Sequence, residues 1–371
     1  FWTTAATIAT RMETMRNAEA GLIALARQFG NGDTNKDATN YKMDVFDTDI
    51  PSSVLPFDEV YDDDEDLLTM HAIRVTDESK SLSQSQESCS QSQYPLVIVH
   101  GYMNGALYFY RNLIGLTSYY HTVYSVDLLG WGLSSRPSWN KLKDKTIETT
   151  ESFFVESLEA WRSKNKIEKM NLAGHSMGGY LGVAYCEKYP DRVHRLLLLS
   201  PCGVPDPPTP EERAAQLSKF LTTYARTILF KLYIKFWEKG YTPGYVMRML
   251  PESRGRQLVD GYVDHRLPAI TDPEEQTILS EYMYTGSILP PSGEYCLGQL
   301  LGPGVMAHKP CLHCIPKLQV NHVSFLYGIK DWMDVQGGLD VQRMCRQQQQ
   351  HHQGNDNDKN NTDGVGVGVM V

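Results

Sequence analysis

Five short apolar runs constrain this chain more than any other feature: "YPLVIVH" from Tyr94, "TVYSVDLL" from Thr122, "KMNLAG" from Lys169, "RVHRLLLLS" from Arg192 and "HVSFLYG" from His322. Runs so short and so continuous read as strands covered on both faces. Helical stretches lie between them, "TTESFFVESLEAWRSKNKI" opened by Thr149 and Thr150, and "GGYLGVAYCEKY" from Gly178. Strand and helix in alternation predict an α/β fold, a mostly parallel sheet flanked by helices. From about Pro201 to Leu318 the alternation gives way to an aromatic-rich helical insertion, a cap over the strand ends where such sheets keep their sites.

The rest of the chain is organised around that core. Residues 1–30 carry apolar positions at helical spacing, an amphipathic helix whose default use is core packing. Residues 31–93 are acidic and then Ser/Gln-rich, expected as loop with one strand-like piece at "LLTMHAIRV". The core is expected over 94–200 and 319–346, the cap over 201–318, a Gln/Asn/Asp-rich insertion over 347–364, and the start of a truncated last strand over 365–371. The first residue is Phe1 and the chain stops after "GVGVGVMV", so a fragment at both ends is expected.

Composition narrows the class. A chain of 371 residues can bury a full core, and no apolar run reaches the ~18–20 residues of a spanning helix. Net charge is −9, but much of the acid sits in "FDEVYDDDEDLL", which reads as a solvated loop. Seven scattered cysteines, Cys89, Cys186, Cys202, Cys296, Cys311, Cys314 and Cys345, favour a reduced, intracellular protein.

"GHSMG" supplies the chemistry. Gly-x-Ser-x-Gly between a strand and a helix is a nucleophile elbow, and it presents Ser176. Amides of Tyr102, in the turn "HGYMNG" after the first buried strand, and of Met177 are placed to hold an oxyanion. His100 and His175 read as supports of these turns. The acid should follow a late strand, where "YGIKDWMDVQGG" offers Asp331, with Asp334 second. His351 and His352 alone follow Asp331, inside "RQQQQHHQG", and a polar low-complexity tract cannot hold a ring to hydrogen-bond tolerance. "CLHC", with His308 nearby, has a metal-like spacing but lacks a second ligand pair, so no metal or cofactor is expected.

Several separated motifs, "VDLLGWGLSSRP", "FFVESLEAWR", "LAGHSMGGYL", "KYPDRVHRLLLLSPCGVP", "SGEYCLG" and "FLYGIKDWMDVQGG", together resemble the α/β-hydrolase domain 4/5 subfamily. This group holds a lipid-droplet coactivator of a triglyceride lipase, its N-acyl phospholipid lipase sister, and yeast and plant acyltransferase/phospholipase relatives. The resemblance implies the α/β-hydrolase fold, Ser176 as nucleophile, Tyr102 and Met177 as oxyanion hole and Asp331 as acid. It implies lysophospholipid or phospholipid substrates, lysophosphatidic acid as an acyl acceptor, acyl-CoA as a possible donor, and a peripheral place on a membrane or lipid droplet. In the coactivator branch an asparagine replaces the serine, so the retained Ser176 favours an enzyme over a non-catalytic adaptor. The family's last strand, its Gly-His and its His-x4-Asp motif are expected beyond the quoted residues, and residues 1–371 alone are expected to turn over little.

The segment Lys219 to Arg256 adds a charge asymmetry. Lys219, Arg226, Lys231, Lys235, Lys239, Arg248, Arg254 and Arg256 stand against Glu238 and Glu252, a local +6 interleaved with aromatics. Phospholipid headgroups fit such a surface as well as a solvated helix face does. Nucleic acid is not expected, since no recognition motif accompanies the patch.

Overall fold

The computed structural model describes residues 4–30, 41–58, 67–78, 92–209, 211–212, 224–303, 305–353 and 365–371. Its strands are β1 (Tyr41–Pro51), β2 (Leu67–Asp77), β3 (Leu96–Val99), β4 (Thr122–Val126), β5 (Met170–His175), β6 (Val193–Leu199), the two-residue pair β7 (Leu301–Gly302) and β8 (Met306–Ala307), β9 (His322–Leu326) and β10 (Gly366–Met370). Eight of them form one sheet in the order β1-β2-β4-β3-β5-β6-β9-β10. Pairing from β4 to β10 is parallel, while β2 runs antiparallel to both β1 and β4.

The helices are α1 (Ala5–Gly30), α2 (Tyr110–Leu116), α3 (Ile147–Lys164), α4 (Met177–Lys188), α5 (Tyr224–Glu238), α6 (Pro243–Met249), α7 (Glu252–Arg266), α8 (Pro273–Ile288), α9 (Cys296–Leu300) and α10 (Gln336–Gln353). The α3 helix starts one turn earlier than its Thr-Thr pair suggests, because Thr146 caps it by accepting from the Thr149 N–H at 3.2 Å.

The continuous apolar runs have a direct cause. Alternate β3 residues face opposite layers. Val97 and Val99 join Phe153, Trp161, Tyr185 and Phe325 on one side. Leu96 and Ile98 join Leu22, Leu107, Leu279 and Tyr282 on the other. All four β3 residues are buried, each aliphatic side chain contributing about 1.5–3 kcal/mol.

Helix α1 does pack into that second layer, through Met15, Leu22 and Ala26. Glu19 on the same helix is 6 % exposed and accepts from His71 Nε2 at 2.8 Å, while Asp47 on β1 accepts from Nδ1 at 2.6 Å. Burial opposes charge on His71, but the Glu19 bond, the Asp127 charge and Asp47 outweigh it and push the pKa from 6.5 up to about 9. The resulting stabilisation is complete below pH 6.5 and is lost as pH rises through 9. Wild-type protein is therefore expected to lose about 3 kcal/mol of unfolding free energy across that window, and Glu19→Gln to lose most of that dependence, in denaturant melts at both pH values.

Two expectations change. Within 31–93, Tyr41–Pro51 is a strand, not loop: Phe46, Thr48 and Ile50 turn inward while Asp47 and Asp49 face solvent, and acids on an open edge disguise the alternation. The 347–364 insertion is not irregular from its start, since α10 runs to Gln353 and glutamine is a good helix former. The strand expected to begin in 365–371 is present: Gly366–Met370 pair residue for residue with His322–Leu326.

Candidate active site

Strand β5 ends at His175 and α4 begins at Met177, which leaves Ser176 alone to turn the chain. It does so at φ 52°, ψ −116°, a strained conformation for an L-residue. Glycines make the turn possible. A Cβ on Gly174 would lie 2.2 Å from the Gly178 carbonyl oxygen, and one on Gly178 would lie 2.5 Å from the His100 carbonyl oxygen. Neither obstacle can rotate away, because both are backbone. Gly178→Ala is expected to cost about 1–3 kcal/mol, read as a lowered melting temperature.

The turn after β3 abuts this serine. Asn104 N–H donates to the Gly101 carbonyl at 3.2 Å, Met103 takes φ 59°, and a Cβ on Gly101 would stand 3.1 Å from Ser176 Cβ. Among the described residues neither the Tyr102 nor the Met177 N–H has an acceptor, and Met177 opens α4, where helical N–H groups are left free. The two amides thus flank the serine without a competing partner.

His100 supports the turn. The Leu128 N–H donates to its Nε2 at 3.0 Å, so Nδ1 carries the proton and donates to the Gly101 carbonyl at 2.8 Å. His175 stacks on Tyr108 at 5.5 Å, its Nδ1 packed against Gly101, and burial pushes its pKa down to about 4 against the pull of Asp331. A neutral ring wedged there holds the elbow in place.

Asp331 lies three residues beyond Gly328 in the loop that follows β9, two strands across from Ser176. Burial raises its pKa, but the Ser200 hydroxyl and the Met333 and Gly328 N–H groups more than offset this and hold the carboxyl below the usual carboxylate range. The Met333 and Gly328 bonds are 3.0 and 3.1 Å. Ser200, which follows β6 at φ 44°, donates to Oδ2. Asp334 instead accepts from the Gln336 N–H at 2.8 Å, at the start of α10. Adjacent strands β5, β6 and β9 therefore carry Ser176, Ser200 and Asp331 at their carboxyl ends.

Sequence reasoning did not single out Ser200. Its only signal is a hydroxyl closing an apolar strand, "LLLLSP". It also missed Glu294, through which the cap meets the core. Arg248 grips Glu294 with two bonds of 2.6 and 2.9 Å, Thr242 donates to the same carboxylate, and the Glu294 carbonyl accepts from Tyr102 Oη at 3.2 Å. Next to it Cys296 Sγ lies 3.5 Å from Met177 Sδ. These contacts set Glu294 and Cys296 against Tyr102 and Met177.

Among the described residues no histidine hydrogen-bonds to Ser176 or Asp331, and the side chains of His351 and His352 lie outside the described residues. Among them, too, no three His, Cys, Asp or Glu side chains gather as a metal cage. In the "CLHC" turn the Cys314 thiol donates to the Cys311 carbonyl at 3.3 Å, and His313 Nε2 pairs with Asp206 at 2.9 Å.

Known proteins fit this geometry. Residues 94–235 match the model of the alpha/beta hydrolase fold family. The chain is 32% identical over 277 residues to a 1-acylglycerol-3-phosphate O-acyltransferase of Arabidopsis thaliana, covering 73% of this chain and 63% of that protein. It is also 32% identical over 250 residues to a (Lyso)-N-acylphosphatidylethanolamine lipase of Homo sapiens, covering 67% of this chain and 68% of that protein. The chain thus spans less than two thirds of the length of the plant relative. Among solved structures, a bacterial membrane phospholipase A superposes with a TM-score of 0.53 at 18% identity, covering 99% of this chain and 84% of that one, a likeness of fold. With the sheet order, the elbow at Ser176 and these relatives together, the chain belongs to the α/β-hydrolase fold family, in the branch that holds acylglycerol-phosphate acyltransferases and N-acylphosphatidylethanolamine lipases.

Proposed function

We propose that the protein is a serine-dependent acyl-lipid hydrolase or acyltransferase that works from the surface of an intracellular membrane or lipid droplet. The observation that carries this is Ser176, strained at φ 52° beside two unengaged amides. The names of the relatives, an acylglycerol-phosphate acyltransferase and an N-acylphosphatidylethanolamine lipase, support an acyl-lipid substrate. Among the described residues no helix is long and apolar enough to cross a membrane.

In this mechanism Ser176 Oγ attacks the acyl carbonyl carbon while a histidine oriented by Asp331 takes its proton. The Tyr102 and Met177 N–H groups hold the oxyanion. Collapse breaks the bond to the leaving group, a lysolipid alkoxide or the thiolate of acyl-CoA, which takes the proton from the imidazolium. The acyl-serine then passes to water, or to a lysolipid hydroxyl such as that of lysophosphatidic acid. Exclusion of water beneath the cap governs that choice.

The test supplies the full-length protein with radiolabelled lysophospholipid and with acyl-CoA plus lysophosphatidic acid. Labelled fatty acid or labelled diacyl product is expected. Neither product above a protein-free blank would rule the proposal out.

A further inference from the structure

Among the described residues the α5 helix presents an exposed apolar face. Ile228, Leu232 and Phe236 recur every fourth residue and are 41, 47 and 45 % exposed. Lys231, Lys235 and, one residue past the helix end, Lys239 recur at the same interval and are exposed as well. Each row advances only about 40° per step around a helix, so the two rows run side by side. The opposite face of α5 turns inward, where Trp237 joins Trp139, Tyr295 and Leu297 in lining a 190 Å³ cavity. Just past the helix end Tyr241, 38 % exposed, touches the Phe236 ring at 5.2 Å and also lines that cavity.

Three bulky apolar side chains left in water on one face are unusual, and such patches mark interfaces. A cationic row along one border sets this face apart in a protein of net charge −9. Two other cap cations are already used: Arg248 pairs with Glu294, and Arg256 with Glu252 and Glu281. Among the described residues Lys231, Lys235 and Lys239 have no ion-pair partner. An apolar row flanked by lysines matches the boundary of an anionic bilayer, where rings and aliphatics enter the acyl edge and ammonium groups meet phosphates.

We infer that α5 is the docking element of the protein, lying in the interface of an anionic phospholipid membrane with Ile228, Leu232 and Phe236 inserted and Lys231, Lys235 and Lys239 on the headgroups. The inference rests on the acyl-lipid function proposed above and names the surface on which it operates. Because Trp237 and the cavity lie on the reverse of the same helix, docking sets the cap against the membrane that supplies the substrate.

The experiment is sedimentation with vesicles of phosphatidylcholine alone or with 30 mol% phosphatidylserine, about a third of the lipid, as a marked anionic fraction. Full-length protein carrying Ser176→Ala is used, so binding is read without turnover. Preferential binding to the anionic vesicles, weakened by salt, is expected. Lys231→Gln/Lys235→Gln/Lys239→Gln should weaken it about a hundredfold, and Leu232→Asp/Phe236→Asp by tenfold or more. In parallel, the lysine variant on a wild-type Ser176 background should keep its labelling by a soluble fluorophosphonate.

A fluorophore on Leu232→Cys, expected to shift to the blue with anionic vesicles, gives a reading that does not depend on the aspartate variant folding. Equal binding of wild type and the lysine variant, or no blue shift, would overturn the assignment. So would a wild-type dimer, or a complex with an acidic protein, that the aspartate variant dissolves while vesicle binding persists. Loss of fluorophosphonate labelling in wild type with vesicle binding intact would instead count against the catalytic proposal alone.

Discussion

Replacing Ser176 with alanine is expected to lower acyl-ester turnover by about a million-fold, to what the oxyanion amides and binding alone sustain. Ser176 shapes its turn through backbone: its N–H donates to the Leu199 carbonyl at 3.0 Å, and its carbonyl accepts from Cys202 N–H at 3.2 Å. Alanine preserves both bonds. Its smaller side chain also makes no new demand on Gly101, whose hypothetical Cβ stands 3.1 Å from Ser176 Cβ. The melting temperature should therefore stay within a few degrees of wild type, and the loss should fall on kcat with KM for the lipid nearly unchanged. A residual activity within tenfold of wild type would move the chemistry to another group.

The second large effect distinguishes the two aspartates. Asp331→Asn is expected to reduce kcat by about 10⁴, as an amide in that place favours the wrong imidazole tautomer. Asp334→Asn should stay within a few-fold of wild type, because Asp334 holds only the Gln336 N–H at the mouth of α10. The contrast follows from surroundings, not from spacing. Asp331 is fixed by the Ser200 hydroxyl and two backbone N–H groups, which stabilise its charge in the loop after β9. Initial rates on a soluble short-chain ester would check this, with circular dichroism confirming that both variants fold. A large loss in Asp334→Asn with little in Asp331→Asn would exchange their roles.

Much of this arrangement is legible in the sequence, for physical reasons that also mark where legibility ends. Strands β3 and β5 announce themselves because both of their faces are buried, and β6 and β9 because one face is buried and most of the other is half-buried. The serine turn announces itself because only glycine tolerates the approach of Gly178 to the β3 carbonyls. Strand β1 stays hidden, since an edge strand needs apolar residues on one side only and its outer positions are Asp47 and Asp49. Helix α10 reaches into a glutamine tract that reads as formless until a helix nucleated at Gln336 runs through it.

The proposed site residues divide along the same line. Ser176, Tyr102, Met177 and Asp331 stand at positions that chain order and strand context define. Ser200 and Glu294 act through contacts across 131 and 192 residues of sequence, with Asp331 and Tyr102 respectively, and no local pattern encodes such pairs. The basic cap shows the opposite case: eight cations were visible in sequence, but only the structure separates Arg248 and Arg256, bound to cap carboxylates, from the exposed lysines of α5.

The claim that Ser176 is an activated nucleophile is tested most directly by labelling the full-length protein with a serine-directed fluorophosphonate and mapping the adduct by mass spectrometry. A single adduct on the peptide that contains Ser176, absent in Ser176→Ala and slowed by Asp331→Asn, is the predicted result. Wild type that labels no faster than Ser176→Ala would contradict the account and leave this fold as a non-catalytic adaptor.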